Sequence, residues 1–196
     1  SIMLLEFSLA EMFARGFDSF SSLVRSGEFD RILVRPQNEI LQVLGSRFEL
    51  TRAGRLLQAV VMFVYGILES EIAWDPLKIL TVIFMLIGGI AVFTGLFMIY
   101  AGLCFFTLDG LEFMNIFTDG AREFGKYPMG VYGKKILLFS IFIVPYAWIQ
   151  YYPFLYLLGQ RDSVWFVVLP LGACWFLIPA WLLWRTGVKR YQSSGS

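Results

Sequence analysis

The sequence predicts an all-α integral membrane protein, a polytopic helical bundle with four transmembrane spans. Only 16% of its 196 residues are charged, whereas 58% are hydrophobic and 18% are aromatic. A soluble domain usually has about a quarter of its residues charged. Three runs without any charged residue are longer than the roughly 20 residues that a helix needs to cross a bilayer. They are Ile79–Leu108, Ile136–Gln160 and Ser163–Trp184.

We expect the transmembrane helices at residues 53–70, 77–108, 131–152 and 163–185. The first is the weakest, because its uncharged part covers only Leu56 to Leu68. Asp75 followed by Pro76 predicts the start of the second helix, since an acid is a good N-cap and proline suits the first turn.

Asp162 and Ser163 predict the start of the last helix in the same way. Residues 1–22 mix apolar with charged side chains, which predicts either the end of a span or a helix lying in the membrane interface.

The positive charges predict the orientation. With four spans, 13 of the 16 Lys and Arg residues fall on one side, in the segment from Arg25 to Arg55, the segment from Arg122 to Lys135 and the tail after Trp184. The positive-inside rule places this side in the cytoplasm. The segment 23–52 and the tail 186–196 are therefore expected to be cytoplasmic.

Several functional classes are disfavoured by composition. The chain has no His, and its two cysteines, Cys104 and Cys174, lie in apolar runs, so we expect neither a metal site nor catalytic residues that depend on His. A net charge of +1 gives no indication of nucleic-acid binding. The segment from Gly120 to Tyr127 resembles a phosphate-binding loop but lacks the final Ser or Thr, and we expect a solvated loop.

The three strong spans contain no ionisable side chain away from their ends. Ion-driven carriers usually keep such a group inside the membrane. If the protein transports a substrate, its energy is therefore expected to come from another polypeptide.

Small residues recur at helical spacing along one face of the second expected span, residues 77–108. They are Gly88, Ala91, Gly95 and Gly102. Such a face allows close helix approach, either within the chain, at a dimer interface or along a pore. Pro145 predicts a kink. The run Tyr151-Tyr152-Pro153 predicts an outer hairpin or, alternatively, an aromatic belt at the membrane surface.

The cytoplasmic segment 23–52 carries the clearest local design. Gly27 permits a turn, Glu28 and Asp30 suit the first turn of a helix, and Pro36 ends it. Apolar Phe29, Ile32 and Leu33 stand among charges, which suits docking on a soluble partner or on anionic lipid headgroups. The residues assigned to this candidate partner-binding site are Arg25, Gly27, Glu28, Phe29, Asp30, Arg31, Leu33, Arg35 and Pro36.

Four short motifs resemble, in order, those of the ABC-2 family of transporter permeases. Gly27-Glu28-Phe29-Asp30 with Ile32-Leu33-Val34-Arg35-Pro36 is similar to a signature of the type GELD…LLRP, with Phe29 where Leu is common. The others are Lys126-Tyr127-Pro128 with Tyr132, then Ile143-Val144-Pro145 with Tyr151-Tyr152-Pro153 and Leu157-Leu158-Gly159, and finally Tyr191-Gln192-Ser193-Ser194-Gly195.

The resemblance implies the permease subunit of an ATP-driven exporter in the bacterial cytoplasmic membrane. It implies a six-span permease, of which this chain lacks the N-terminal part. It also implies three partners: a cytoplasmic ATPase seated on the coupling loop, a second permease, identical or paralogous, and the lipid bilayer. No cofactor is expected in this chain, because ATP and Mg²⁺ would bind to the ATPase.

Two rival functions are a membrane scaffold that transports nothing and an intramembrane enzyme such as a lipid transferase. A gene for an ATPase beside this one would argue against the scaffold. The enzyme would need convergent polar groups, and the spans offer only Thr81, Thr94, Thr107, Ser140 and Gln150.

The predicted orientation is testable with reporter fusions. We expect reporters placed at Arg31 and at Arg161 to lie in opposite compartments, because the positive charges cluster around the first position and not the second. Alkaline phosphatase and fluorescent-protein fusions measure this directly. Finding both positions on the same side would contradict the four-span topology.

Overall fold

A computed structural model describes residues 1–46, 51–107, 113–124, 133–161 and 163–191, which contain helices and no strand. Asp162, the Gly125–Tyr132 segment and the end of the tail lie outside this part of the chain. The α-helices are α1 (Ile2–Asp18), α2 (Phe20–Arg25), α3 (Glu28–Val34), α4 (Glu39–Gly45), α5 (Thr51–Leu68), α6 (Pro76–Cys104), α7 (Met114–Phe124), α8 (Lys134–Phe142), α9 (Tyr152–Leu157), α10 (Trp165–Gly172) and α11 (Leu177–Arg190).

The longest helix, α6, is the centre of the bundle. It begins as its sequence predicts: Pro76 is in the first turn, and the Asp75 carboxylate accepts a hydrogen bond of 2.7 Å from the backbone N–H of Lys78. Its 29 residues extend about 43 Å, more than one hydrocarbon thickness. Helices α1, α10 and α11 all pack along it.

Three glycines of α6 allow α10 and α11 to approach its backbone. A Cβ added at Gly88 would lie 2.2 Å from the Pro170 carbonyl oxygen, and one at Gly95 or Gly102 would meet Phe176 or Leu183. The residue numbers of the contacting partners increase together along α6 and along the segment formed by α10 and α11. That segment therefore runs parallel to α6. The small-residue face therefore packs within the chain at these three positions, whereas Ala91 is half-buried.

The expected span at residues 131–152 is not one helix. Helix α8 ends at Phe142, and the chain bends by 99° before a π-helical turn at Ala147–Tyr151 that continues into α9. Pro145 lies in the bend, where its missing N–H and its ring interrupt the helix. The hairpin expected at Tyr151-Tyr152-Pro153 is also wrong, because these three residues are helical. The break in the helix lies at Pro145, eight residues before Pro153.

The segment from Tyr146 to Leu157 returns along α6 in the opposite direction. Tyr146 lies beside Phe93, Ile149 lies beside Gly88, and Leu157 packs with Val82 and Met85. The π-helical turn ends at Tyr151, two residues before Pro153. Pro153 has no backbone N–H to donate to the preceding turn.

Helix α1 is a packed part of the bundle. Its Phe7 contacts Phe93 and Phe97 of α6, with ring centroids 5.3 and 6.1 Å apart. Glu6 and Glu11 are buried, so the charged side of this helix does not face water as an interfacial helix would require. The structure shows that α1 packs in the bundle, and the two predictions for residues 1–22 stay predictions.

The expected number of four spans is not confirmed. By length and composition, two helical segments in the described residues qualify, Pro76–Cys104 and Trp165–Arg190, and a third qualifies if the bent segment is counted as one. Helix α5 is apolar but shorter. It is held beside α1 by an ion pair of 3.2 Å between Arg55 and Glu11.

The close packing of α6 predicts an unequal response to two identical substitutions. Gly88→Ala places a methyl group against the Pro170 carbonyl, and we expect it to destabilise the fold by about 1–3 kcal/mol. Gly54→Ala in α5 meets nothing within 4 Å and is expected to be neutral or slightly stabilising, since alanine favours helix. Thermal unfolding in detergent measures both, and a Gly88→Ala midpoint equal to that of the parent would contradict the packing.

Candidate functional site

The candidate coupling segment consists of two short helices joined by a glycine turn. Helix α2 ends at Arg25, and Gly27 has φ +69°, a left-handed conformation that side chains rarely adopt. Helix α3 then begins with Glu28 and has two acids, Glu28 and Asp30, in its first turn. It ends before Arg35, which is extended as a residue preceding proline should be.

Phe29 anchors α3 to the membrane helices. Its side chain is 0% exposed and contacts the rings of Phe20, Phe105, Trp184 and Tyr191 at centroid distances between 4.9 and 6.2 Å. We call these five residues the aromatic cluster. Most of the pairs are edge-to-face, the arrangement that aromatic quadrupoles favour.

The aromatic cluster joins three parts of the chain. Phe105 caps the C-terminal end of α6, Trp184 belongs to α11, and Tyr191 follows α11 directly. Phe17 of α1 adds a further edge contact to Trp184 at 5.1 Å. Packed rings therefore connect α3 to the C-terminal ends of α1, α6 and α11.

The apolar ridge predicted for docking has to be corrected. Phe29 and Ile32 are buried against the rest of the chain. Because this short helix packs one face on the bundle, only its opposite face is left for a partner. The outward face carries Glu28, Arg31, Leu33, Val34 and Arg35, which are exposed, Val34 to 83%. We call these five residues the outward face of α3.

Asp30 lies between the two faces. It is half-buried, and its carboxylate lies close to the Tyr191 hydroxyl. Burial and this carboxylate both raise the pKa of Tyr191. Tyr191 therefore stays neutral at physiological pH and holds the start of the tail against α3.

Helix α4, which the sequence analysis did not single out, supports α3 from behind. Its N-cap Asn38 accepts a hydrogen bond of 2.9 Å from the N–H of Ile40. The Gln42 amide donates to the carbonyl oxygens of Ile32 and Gln37, at 3.2 and 3.1 Å. The Asn-Glu pair after Pro36 was the available signal for this helix.

Gly16 explains how α4 reaches α1. An added Cβ at Gly16 would lie 1.7 Å from the Val43 carbonyl oxygen, so the two helices touch through backbone atoms. Val43 is fully buried at this contact. Helices α3 and α4 are thus both fixed to the transmembrane bundle, one by an aromatic ring and the other by a glycine.

The remaining predicted residues lie elsewhere. Arg25 is exposed at the end of α2, and Pro36 is exposed between α3 and α4. Pro145, Tyr151, Tyr152 and Pro153 line the bent segment beside α6 and α10, where the rings of Tyr152 and Phe166 are 5.3 Å apart. None of these four belongs to the cytoplasmic site.

Truncation of Phe29 should loosen α3. We expect Phe29→Ala to cost about 3–5 kcal/mol of packing free energy and to speed tryptic cleavage after Arg31, which is exposed. Phe29→Leu refills most of the space and should give a smaller increase. Limited proteolysis in detergent measures both, and equal cleavage rates for the parent and Phe29→Ala would mean that the ring does not anchor the helix.

The comparison with protein families supports the resemblance that the four short motifs indicated. Residues 1–195 match a family described as ABC-2 family transporter protein. No curated protein and no solved structure matches the chain. The family match covers nearly the whole chain, so α3, α4 and the apolar helices all belong to one multi-pass membrane protein. The chain belongs to the ABC-2 family of transporter proteins.

Proposed function

We propose that this chain is the permease subunit of an ATP-driven exporter that moves an amphipathic substrate out of the cytoplasm by alternating access. The observation that carries the proposal is the double character of α3. One face is buried in the aromatic cluster, and the opposite face presents charged and apolar side chains to the cytoplasm.

The outward face of α3 is the proposed contact with a separate cytoplasmic ATPase. Val34 and Leu33 supply apolar area, and Glu28, Arg31 and Arg35 supply charges of both signs. A short helix with such a surface suits a groove on a folded partner. ATP and Mg²⁺ would bind to that partner, and this chain would need no cofactor of its own.

Motion would pass from the ATPase to the membrane through Phe29. Packed interiors transmit displacement because they resist compression. A shift of α3 would move Phe105 and Trp184 and with them the cytoplasmic ends of α6 and α11. Hydrogen bonds from Gln42 to the C-terminal end of α3 make α4 move with it.

The outer end offers a candidate exit. A cavity of about 600 Å³ lies between α5, α6, α9 and the loop that precedes α6. Its walls are mainly apolar, with Trp74 as the largest ring and Glu71 and Lys78 as charged residues. This mixture suits release of an amphipathic molecule into water.

The proposed assembly contains two permeases, identical or paralogous, in a bacterial cytoplasmic membrane. The C-terminus would be cytoplasmic. The distribution of Lys and Arg supports this orientation, since α3 and the end of α11 are on the positive side. Exposed apolar side chains along α5 and α8 are available to lipid or to a second permease.

Charge reversal on α3 tests the coupling role. Glu28 and Glu39 are each the first residue of a cytoplasmic helix, so Glu28→Lys and Glu39→Lys remove similar interactions with a helix N-terminus. We expect Glu28→Lys alone to weaken binding of the ATPase by about tenfold, because it reverses a charge on the outward face of α3.

The measurements are ATPase association by surface plasmon resonance and ATP hydrolysis by the complex reconstituted in lipid. Asp30 is not substituted, because it lies beside Tyr191. Its replacement would change the packing of the chain as well as the coupling to the ATPase. Equal effects of the two substitutions would remove α3 as the specific contact. Absence of any ATPase association by the parent protein would favour the scaffold.

A further inference from the structure

One carboxyl group lies deep in the bundle without a partner in the described part of the chain. Glu6 of α1 is 0% exposed, and neither of its oxygens has a hydrogen-bond partner among these residues. By contrast, Glu11 of the same helix is paired with Arg55 at 3.2 Å.

The depth of Glu6 follows from its neighbour on α6. A Cβ added at Gly89 would lie 2.2 Å from Cδ of Glu6, so glycine is what admits the carboxyl. Gly89 is about 20 Å along α6 from Pro76 and about 23 Å from Cys104. Glu6 is therefore near the middle of the longest apolar helix of the chain.

The surroundings of Glu6 combine rings with interrupted helices. The adjacent residue Phe7 packs on Phe93 and Phe97, and ring faces attract cations. At the same level of α6, Gly88 faces the carbonyl of Pro170 and the π-helical turn at Ile149. Gln150, next in that turn, has a buried side-chain oxygen without a partner.

We propose that Glu6 is the recognition group for a cationic, amphipathic substrate, which it binds when α1 and α6 separate, a separation that occurs at equilibrium without ATP. This inference rests on the proposed transport function and names the chemical class of its substrate. An ionisable group without a partner in the membrane interior is costly, and its usual explanation is a functional site. A lone carboxylate is complementary to an organic cation and not to a neutral or anionic molecule.

Tetraphenylphosphonium, a bulky organic cation, is a suitable probe, and triphenylphosphine oxide is a neutral counterpart. Equilibrium dialysis against the intact permease in lipid nanodiscs measures the binding of each. We expect Glu6→Gln to weaken tetraphenylphosphonium binding by about tenfold and to leave triphenylphosphine oxide unaffected, because only the charge interaction is lost. Glu6→Asp keeps the charge and should retain most of the binding.

Glu11→Gln is the matched control, since it removes a second buried carboxylate of α1 that already has a partner. It should bind tetraphenylphosphonium as the parent does. The thermal unfolding midpoint of each variant separates misfolding from loss of the site, and Glu6→Asp tests the site again if Glu6→Gln is unstable.

Two results would overturn the proposal: equal binding of tetraphenylphosphonium by the parent and by folded Glu6→Gln, or no binding by the parent. The measurement needs neither ATP nor the ATPase. A failure of coupling through α3 would therefore leave this result unchanged, and a failure at Glu6 would leave the coupling test unchanged.

Discussion

The architecture depends on close backbone contact along α6. Lipid provides no hydrophobic force between helices, so association relies on packing and on contacts between backbones. Gly88, Gly95 and Gly102 bring α10 and α11 to the surface of α6, and Gly89 admits α1 on another side. Because α1, α10 and α11 share this one helix, its displacement changes the cavity beside Trp74 and the aromatic cluster together.

Helices α3 and α4 form a unit that is packed against the C-terminal end of that helix. Helix α3 has only seven residues and would be marginal alone, since short helices are unstable in water. It is ordered by the ring of Phe29 on one side and by the hydrogen bonds of Gln42 on the other. The same contacts that stabilise α3 also prevent it from moving independently, which is the property that a coupling element requires.

Local chemistry was readable from the sequence, and tertiary placement was not. The Asp75–Pro76 start, the glycine turn at Gly27 and the end of α3 before Pro36 depend on neighbouring residues alone, and all three have the expected form. The direction of Phe29 was misjudged because an apolar ridge fits a partner and the parent bundle equally well. The bend at Pro145 was expected as a kink, but its size depends on how the following segment packs on α6.

Glu6 bears on the argument about the energy source. The three strong apolar runs contain no ionisable side chain away from their ends, and Glu6 lies outside them, on α1, a helix whose mixture of apolar and charged residues left its position open. Ion coupling needs a group that exchanges its ion with both sides of the membrane. In this conformation Glu6 is enclosed, whereas α3 has one exposed face opposite its anchored one. A carboxyl that is reached only when α1 and α6 separate suits the recognition of cargo that we propose, and the exposed face of α3 remains the proposed entry point for energy from an ATPase.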